Sequence, residues 1–521
     1  MSPETVQMLI PEIVLIAVAV SVYIAGAFTD GWKHWGWIAG AGIVATAAAL
    51  WMQGGAASAQ GPLAIDSLAY YARWLALVLG ALFALLVSRP LAGGGTPEYV
   101  GSLLLAIAGL MLVSGAGELV LIFLGLELIS IPTYILLYLG RRDAASQEST
   151  VKYFFLSILA SAILLYGFTF LYGTTGQTQL AKIGATLADP HGTATGFDLL
   201  VNVALVMVFA GLAFKIAAVP FHFYAPDVYQ GTTQTNAALL SVVPKAAGMV
   251  VLARIVVLAM PSMAPHACRI ALVLAVLTMT FGNFMALWQQ NIRRLLAYSS
   301  IAHAGYMLIG LAVALGPSAA AAGWNWDGLS ALLFYLCVYA VATVGTFAVL
   351  DYLGRRDEQI DAVEELAGLG RTRPFVAAAL GVFMFSLAGI PPLAGFWGKL
   401  VLFRSALWVA LEAETLRAWF LTLAIVGALN AAVAAAYYLR IVGVMFFRTP
   451  LAVPKTQGRI GSWCAVTASV VLTIAIGLLP GPLLKESDKA SQGAEAAARV
   501  IEPPPVIAST DITPSGDRDN P

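Results

Sequence analysis

The sequence predicts an all-α polytopic membrane protein with about fourteen transmembrane helices. Three observations carry that prediction. Of 521 residues, 60% are hydrophobic and only 11% are charged. Apolar runs of roughly 20 residues, the length that crosses a bilayer core, recur along most of the chain. Those runs are also too long for the core elements of a soluble domain. Lys+Arg and Asp+Glu both number 28, so no excess charge points to nucleic acid or to an acidic soluble partner. The expected partners are other membrane helices and lipid. Cys268, Cys337 and Cys464 stand singly in apolar runs with no Cys-x-x-Cys spacing, which argues against a disulfide or metal framework and reads as buried small hydrophobes.

Apolar runs bounded by charges or by Gly and Pro fall at 8–29, 33–52, 67–88, 99–115, 117–139, 151–173, 198–217, 237–260, 268–288, 294–315, 328–353, 374–411, 416–446 and 462–484. The first begins after Glu4 without a basic leader and is followed at once by another run, so it is expected to stay in the mature chain rather than be cleaved as a signal peptide. Two runs are interrupted and read as broken helices. The seventh stops at Pro220 and continues as a short polar stretch to Gly231; the twelfth is broken at Ile390-Pro391-Pro392.

Loop charge sets the orientation. An outer N-terminus leaves Lys33, Arg89, Arg141, Arg142, Lys152, Arg293, Arg294, Arg355, Arg356, Arg371, Arg373, Arg448, Lys455 and Arg459 inside, against Lys182, Arg269 and Arg417 outside, as basic residues favour cytoplasmic loops. Both termini then lie on the outer side. Beyond Leu484 the composition turns to Ala, Glu, Ser and Pro, which reads as a helical fragment and a disordered tail without an assigned role.

The informative residues are charges inside these runs. A Lys or Glu at the bilayer centre costs about 2.5–3.5 kcal/mol on insertion scales and is a functional candidate unless it reaches the interface. Glu127, Lys215, Lys245 and Lys399 stand deep in their runs, and each has a proline nearby: Pro132, Pro220, Pro244, and Pro391 with Pro392. Proline frees a backbone carbonyl, tolerated at membrane depth only where protein or water covers it. Four charges at four helix breaks predict a chain of hydrated pockets near the midplane. Arg89, Arg254 and Arg440 lie nearer helix ends and are expected to snorkel to headgroups.

The alternative is that the four charges only glue helices together, as Glu127 with Lys215 would. Polar contacts between membrane helices average well under about 1 kcal/mol, too little to offset the insertion cost of three lysines and a carboxylate. A lysine in a dry pocket binds its proton less tightly, and a nearby carboxylate restores that affinity, so moving one charge loads or unloads the next. That permits pumping without a redox group. His222 and Asp227, after the first break, are candidates either to admit protons or to cap helices. His303 is a candidate bridge between Lys245 and Lys399, or a satisfied core histidine. His34, His191 and His266 fall in loops. Dinucleotide, Walker and haem or iron–sulfur motifs are missing, so no cofactor or metal is expected on this chain. Gly93 to Gly95 mark a loop, and Glu364-Glu365 a solvated face.

Three segments carry a family resemblance: Phe214-Lys-Ile-Ala-Ala-Val-Pro-Phe-His-Phe-Tyr-Ala-Pro-Asp-Val-Tyr-Gln-Gly, Ile292-Arg-Arg-Leu-Leu-Ala-Tyr-Ser-Ser-Ile-Ala-His-Ala-Gly-Tyr, and Ser386-Leu-Ala-Gly-Ile-Pro-Pro-Leu-Ala-Gly-Phe-Trp-Gly-Lys. Through about Leu484 the chain resembles the antiporter-like, proton-translocating membrane subunits of respiratory complex I, NADH:quinone oxidoreductase. The motif His-x-x-x-Pro-Asp-Val-Tyr, the fourteen spans and a lysine at position 399 are similar to the N-type chains rather than the L or M types. It departs from the N pattern at Tyr224, where Trp is usual, and at Gly231-Thr-Thr, where Gly-Ala-Pro is usual.

The resemblance implies three N-terminal helices (1–98), two inverted five-helix repeats (99–260 and 261–446), a fourteenth helix (447–484) and a polar, disordered tail (485–521). It implies that Glu127 and Lys215 are the paired charges of the first half, Lys245 the connecting lysine and Lys399 the terminal one. It further implies a bacterial inner membrane, neighbouring antiporter-like and small helical chains, and flavin, iron–sulfur clusters, NADH and quinone held by other subunits. Two alternatives remain: a subunit of a multisubunit cation antiporter that exchanges Na⁺ or K⁺ for H⁺, and a scaffold bundle without transport.

Overall fold

The structure, a computed structural model, describes residues 3–29, 34–55, 58–87, 95–141, 143–189, 196–316, 327–354, 360–450 and 460–499. Among these, fourteen helices are long and apolar enough to cross a membrane. A short α1 (Pro3–Met8) leads into α2 (Ile10–Phe28) and α3 (Trp35–Gln53). A two-stranded hairpin, β1 (Ser58–Gln60) and β2 (Leu63–Ile65), precedes α4 (Ser67–Leu86). The next group runs α5 (Thr96–Ser114), α6 (Leu119–Gly140), α7 (Ala144–Thr175), the short α8 (Leu180–Ala188), α9 (Asp198–Ile216), α10 (Tyr224–Gly231) and α11 (Gln234–Arg254). After it come α12 (Ala264–Leu287), α13 (Ile292–Ala314), α14 (Gly328–Leu353), the single turn α15 (Leu369–Thr372), α16 (Pro374–Ala388), α17 (Ala394–Glu412) and α18 (Arg417–Phe447). The chain closes with α19 (Ile460–Leu478) and α20 (Gly481–Arg499).

The spans are not equivalent. The apolar window of α13 is 100% buried and those beginning at α11 and α14 are 94% buried, against 28% for α2 and 33% for α19. The last two are therefore peripheral, and α11, α13 and α14 form the middle of the bundle. A cation on any of these three cannot snorkel to a headgroup.

Two spans are broken where expected. α9 stops as Ala217 turns into the left-handed region at φ 57, a conformation that costs a residue with a Cβ roughly 1–2 kcal/mol. α16 stops at Gly389, φ 90, where glycine pays no such cost. Pro220, and Pro391 with Pro392, keep the chain from resuming the helix at once. It restarts as α10 and α17. The other two prolines do not break their helices: Pro132 lies inside the continuous α6 and Pro244 inside the continuous α11. Helix breaks thus accompany Lys215 and Lys399 only, since a proline is tolerated inside a continuous helix at membrane depth where protein or water covers the carbonyl it frees.

Ion pairs fasten the ends of the bundle. Where α4 begins, Arg73 pairs with Glu12 at 2.7 Å and Arg254 with Asp66 at 2.6 Å, tying α2 to α4 and the turn after the hairpin to α11. Arg254, expected to snorkel, is instead buried and donates to Ser114 O at 2.7 Å as well. Arg440 reaches the carbonyls of Leu287 and Gln289 at the end of α12; Arg89 lies outside the described residues. At the opposite end Arg293 pairs with Asp361, and Asp227 binds Lys152 at 3.1 Å and Arg294 at 2.7 Å.

One further expectation is corrected. Cys464 is exposed on the outer face of α19, since a single thiol is apolar enough to face lipid, while Cys268 is buried and Cys337 partly so. Residues 485–499 are helical, packed through Ser487 on Tyr71 at 3.3 Å and through Ser491 on Asp327. The tail from 500, the loop holding His191, Gly93 and Gly94, and the loop residues Lys33, Arg142, Arg355, Arg356, Lys455 and Arg459 lie outside the described residues.

Candidate functional site

The four charges singled out in the sequence follow one another through the bundle, the three lysines buried, with hydroxyl groups as partners of Glu127, Lys215 and Lys245. In the first half, α6 presents Glu127 and, three residues on, Ser130; α7 presents Ser157 and, four residues on, Ser161. Both spacings put a pair on one helix face. Ser161 Oγ donates to Glu127 Oε1 at 2.6 Å. Lys215, in the last turn of α9 before the break, donates to Ser130 Oγ at 2.7 Å and Ser157 Oγ at 3.2 Å. Glu127 and Lys215 therefore form no direct ion pair; serines stand between them. Ser130 in turn donates to Leu126 O at 2.8 Å, which leaves its oxygen free to accept the lysine.

Gly248 carries the row from α9 to α11. A Cβ there would meet Ile216 Cγ2 at 2.7 Å and Lys215 Cβ at 3.3 Å, so only glycine lets the two helices approach. Lys245 lies three residues before Gly248, about one turn along α11. It crosses to α13, where it donates to Ser300 Oγ at 2.6 Å and to the Ser300 carbonyl. The Tyr339 ring of α14 lies 5.0 Å from its ammonium, within cation–π range. Tyr339 also donates to Ser300 Oγ at 2.8 Å.

One turn further along α13 stands His303. Its Nδ1 is 2.6 Å from the Tyr335 hydroxyl and its Nε2 is 2.9 Å from that of Tyr438, while its ring packs 4.9 Å from that of Tyr339. Tyr438 also bonds Ser299. Lys399 closes the row. It donates to the carbonyls of Leu387 at 3.0 Å and Ala388 at 2.8 Å, the acceptors that the end of α16 leaves without a helical partner. A gap of about 10 Å³ lined by His303, Tyr335, Tyr339, Ser386 and Lys399 separates histidine from lysine, roughly the room of one water. A Cβ at Gly389 would lie 2.9 Å from Lys399 Cδ, so this glycine serves both the turn and the lysine.

Lys215, Lys245, His303 and Lys399 are each at most 5% exposed, whereas Glu127 is half-buried. Among the described residues none of the three lysines has a carboxylate within ion-pairing distance. The three large buried arginines, Arg73, Arg254 and Arg293, all do. The other two candidates are not brought into the row. Asp227 is the hub that joins α7, α10 and α13 through Lys152 and Arg294, and Ser149 Oγ donates to its carbonyl at 3.3 Å. His222 packs edge-on to Phe281 at 4.5 Å. The hydroxyls of Ser130, Ser157, Ser161, Ser300, Tyr335, Tyr339 and Tyr438 were missed at the sequence level. Only the Glu127/Ser130 and Ser157/Ser161 spacings, which put each pair on one helix face, could have pointed to any of them.

Residues 116–438, well over half of the chain, match the family described as NADH:quinone oxidoreductase/Mrp antiporter, transmembrane. NADH-quinone oxidoreductase subunit N of Trichlorobacter lovleyi is 37% identical over 498 residues, 92% of this chain and 96% of that one. Subunit N 1 of Rhizobium meliloti is 35% identical over 506 residues, 95% and 98% of the two chains. Among solved structures, a chain of respiratory complex I from Thermus thermophilus with bound aureothin is 32% identical with a TM-score of 0.74, covering 91% of this chain and 98% of that one. A chain of the Mrp complex from Dietzia superposes with a TM-score of 0.76 at 22% identity, over 96% and 99%, which shows a shared fold. With relatives this similar over nearly their whole length, the chain belongs to the NADH-quinone oxidoreductase subunit N family of antiporter-like membrane proteins.

Proposed function

We propose that the chain is a proton-translocating membrane-arm subunit of NADH:quinone oxidoreductase, and that Glu127, Lys215, Lys245, His303 and Lys399 carry the charge through it. The observation that supports this most is the contrast between its buried cations. An arginine pair that only holds helices together is neutralised by a carboxylate, as Arg73, Arg254 and Arg293 are. The lysines are met by hydroxyls and carbonyls instead. A hydroxyl both donates and accepts, so it can take a proton on one side and release one on the other. A lysine ammonium, unlike a guanidinium, can give its proton up.

The sequence of events follows from the row. A shift of Glu127 away from Ser161 changes the field at Lys215, whose remaining partners are the neutral Ser130 and Ser157. Loading or unloading Lys215 acts in turn on Lys245 across the α9–α11 contact, because charges in a dry interior interact over distances at which water would screen them. Lys245 reaches His303 through Ser300 and Tyr339, and His303 reaches Lys399 across the water-sized gap. His222 and Asp227 keep lesser roles, His222 as an entry point beside the first break and Asp227 as the clamp that holds that break in place.

Flavin, iron–sulfur clusters, NADH and quinone belong on this reading to other subunits. Spans four to eight and nine to thirteen form two inverted units: the broken helix is the fourth in each, and units five spans apart start in opposite directions. Half-buried Glu127 shares its face of α6 with exposed Leu124 and Ile131, a surface for a neighbouring helical chain. Both termini lie on the outer side of a bacterial inner membrane, since Arg141, Lys152, Arg293, Arg294, Arg371, Arg373 and Arg448 share the opposite end of the bundle. Subunit N relatives at 35–37% identity favour this reading over Na⁺ or K⁺ exchange. The test is Lys245→Ala in the complete assembly, read as protons moved per NADH oxidised in inverted vesicles. The ratio is expected to fall with the subunit still present; an unchanged ratio would sink the proposal.

A further inference from the structure

Away from the charge row, α4, α14 and α20 enclose a groove of about 420 Å³. Tyr70, Trp74, Leu75 and Val78 of α4 line it together with Cys337 of α14 and Leu483 of α20. Hydroxyl contacts hold it open in a fixed shape. Tyr71 donates to Leu333 O at 3.1 Å and receives Ser487 Oγ at 3.3 Å, while Gly493 lets α20 sit against Ser67, where a Cβ would come within 2.8 Å.

The groove starts at Ser67, the first residue of α4, and reaches Val78 eleven residues later, about 16 Å along the helix. That is about half the thickness of a hydrocarbon core, one leaflet. Trp74 stacks edge-on with both Trp51 and Tyr70, an aromatic cluster of the kind found at the headgroup level. The charged residues of the groove's lining are Glu486 and Lys489 of α20, 2.6 Å apart and both more than half exposed.

We propose that this groove binds one zwitterionic aminophospholipid, with an acyl chain along α4 and the headgroup across the mouth, phosphate on Lys489 and ammonium on Glu486. Volume and apolar walls suit a single extended chain. The charges choose the headgroup. An anionic lipid that reached Lys489 would lay its phosphate beside the Glu486 carboxylate, whereas a phosphoethanolamine satisfies both. A quinone would leave the pair unused.

The experiment uses the complete assembly, exchanged into nanodiscs of equal phosphatidylethanolamine and phosphatidylglycerol with added quinone, then stripped mildly and analysed by native mass spectrometry. The expected result is one phosphatidylethanolamine retained per copy of this chain, lost in Val78→Trp, whose indole fills the groove. Glu486→Gln is expected to swing the retained lipid toward phosphatidylglycerol by about fivefold, the effect of one headgroup-level charge. Should Val78→Trp not assemble, the surface variant Glu486→Ala/Lys489→Ala decides, by losing the preference between the two lipids. Retention of phosphatidylglycerol or quinone by the unmodified chain, or phosphatidylethanolamine occupancy unchanged by these variants, overturns the proposal.

Discussion

Replacing Lys399 and Arg254 by alanine, one at a time, tests whether the lysine proposed to carry protons differs from an arginine that ties helices together. Lys399→Ala removes two hydrogen bonds, to Leu387 O and Ala388 O. Bonds from a charged donor are worth about 1.5–3 kcal/mol each, so the loss is about 3–6 kcal/mol. It also removes a buried cation whose insertion costs about 2.5–3.5 kcal/mol, and the adjoining gap admits a water to the freed carbonyls. The net change is a few kcal/mol at most. Arg254→Ala leaves the buried Asp66 carboxylate without its cation, which costs about 3–5 kcal/mol, and strips Ser114 O of its donor for about 1.5–3 kcal/mol more. The assay compares subunit content of membranes by native gel with protons moved per NADH. Lys399→Ala should be present in near-normal amount and pump poorly, and Lys399→Arg, which restores charge without an exchangeable proton, should not recover pumping. Arg254→Ala should be depleted, with normal stoichiometry in whatever assembles. If Lys399→Ala were missing from the membrane and its residual assemblies pumped normally, the lysine would be structural and the reasoning wrong.

The double variant Ser130→Ala/Ser157→Ala removes both side-chain acceptors of Lys215 and should lower pumping severalfold at unchanged subunit content, about 1–3 kcal/mol per lost partner being felt by the transferred proton; normal proton yield would show that the serines only fill space. Gly248→Ala forces α9 away from α11 by the overlap with Ile216, so it should weaken coupling between the halves while leaving NADH binding elsewhere in the assembly untouched, as read by quinone reduction that no longer builds a full proton gradient. A reporter active only in the cytoplasm, fused after Pro521, should be silent; a signal from it would reverse the orientation.

How much of this was legible in the sequence depended on distance along the chain. The spans were legible because each is a local property, a run of apolar residues long enough to cross a bilayer, and the runs from 8–29 to 462–484 correspond in order to α2 through α19. The breaks after Lys215 and before Lys399 were legible because Pro220 and Pro391-Pro392 are local too. Proline alone was a poor guide, however: Pro132 and Pro244 carry the same signal, and whether the helix breaks depends on neighbours from distant segments. The same limit hid the partners. Nothing near Lys245 in sequence marks Ser300, 55 residues on, or ties His303 to Tyr438, 135 residues on. Arg254 was misjudged because its partner Asp66 is 188 residues away.

Those long-range partners also explain why a chain with so few intramembrane charges needs two kinds of cation. Arginine keeps its proton under all conditions in a protein and offers a planar fork that a carboxylate or several carbonyls can saturate. Arg73 and Arg254 meet both kinds of acceptor where α4 begins, and Arg293 does so at the other end of the bundle. Such a site has one stable state. The lysines sit between the two ends, and a carboxylate beside each would have given them one stable state as well. Serine and tyrosine hydroxyls accept from an ammonium and can turn to donate once it has lost its proton, so both protonation states of the lysine find partners in nearly the same geometry. Half-buried Glu127, held through Ser161, stands at the edge of the row. On the proposed reading, fixed charges at the ends and convertible ones along the middle would let the frame stay rigid while protonation changes inside it, which a bundle glued by its lysines could not do.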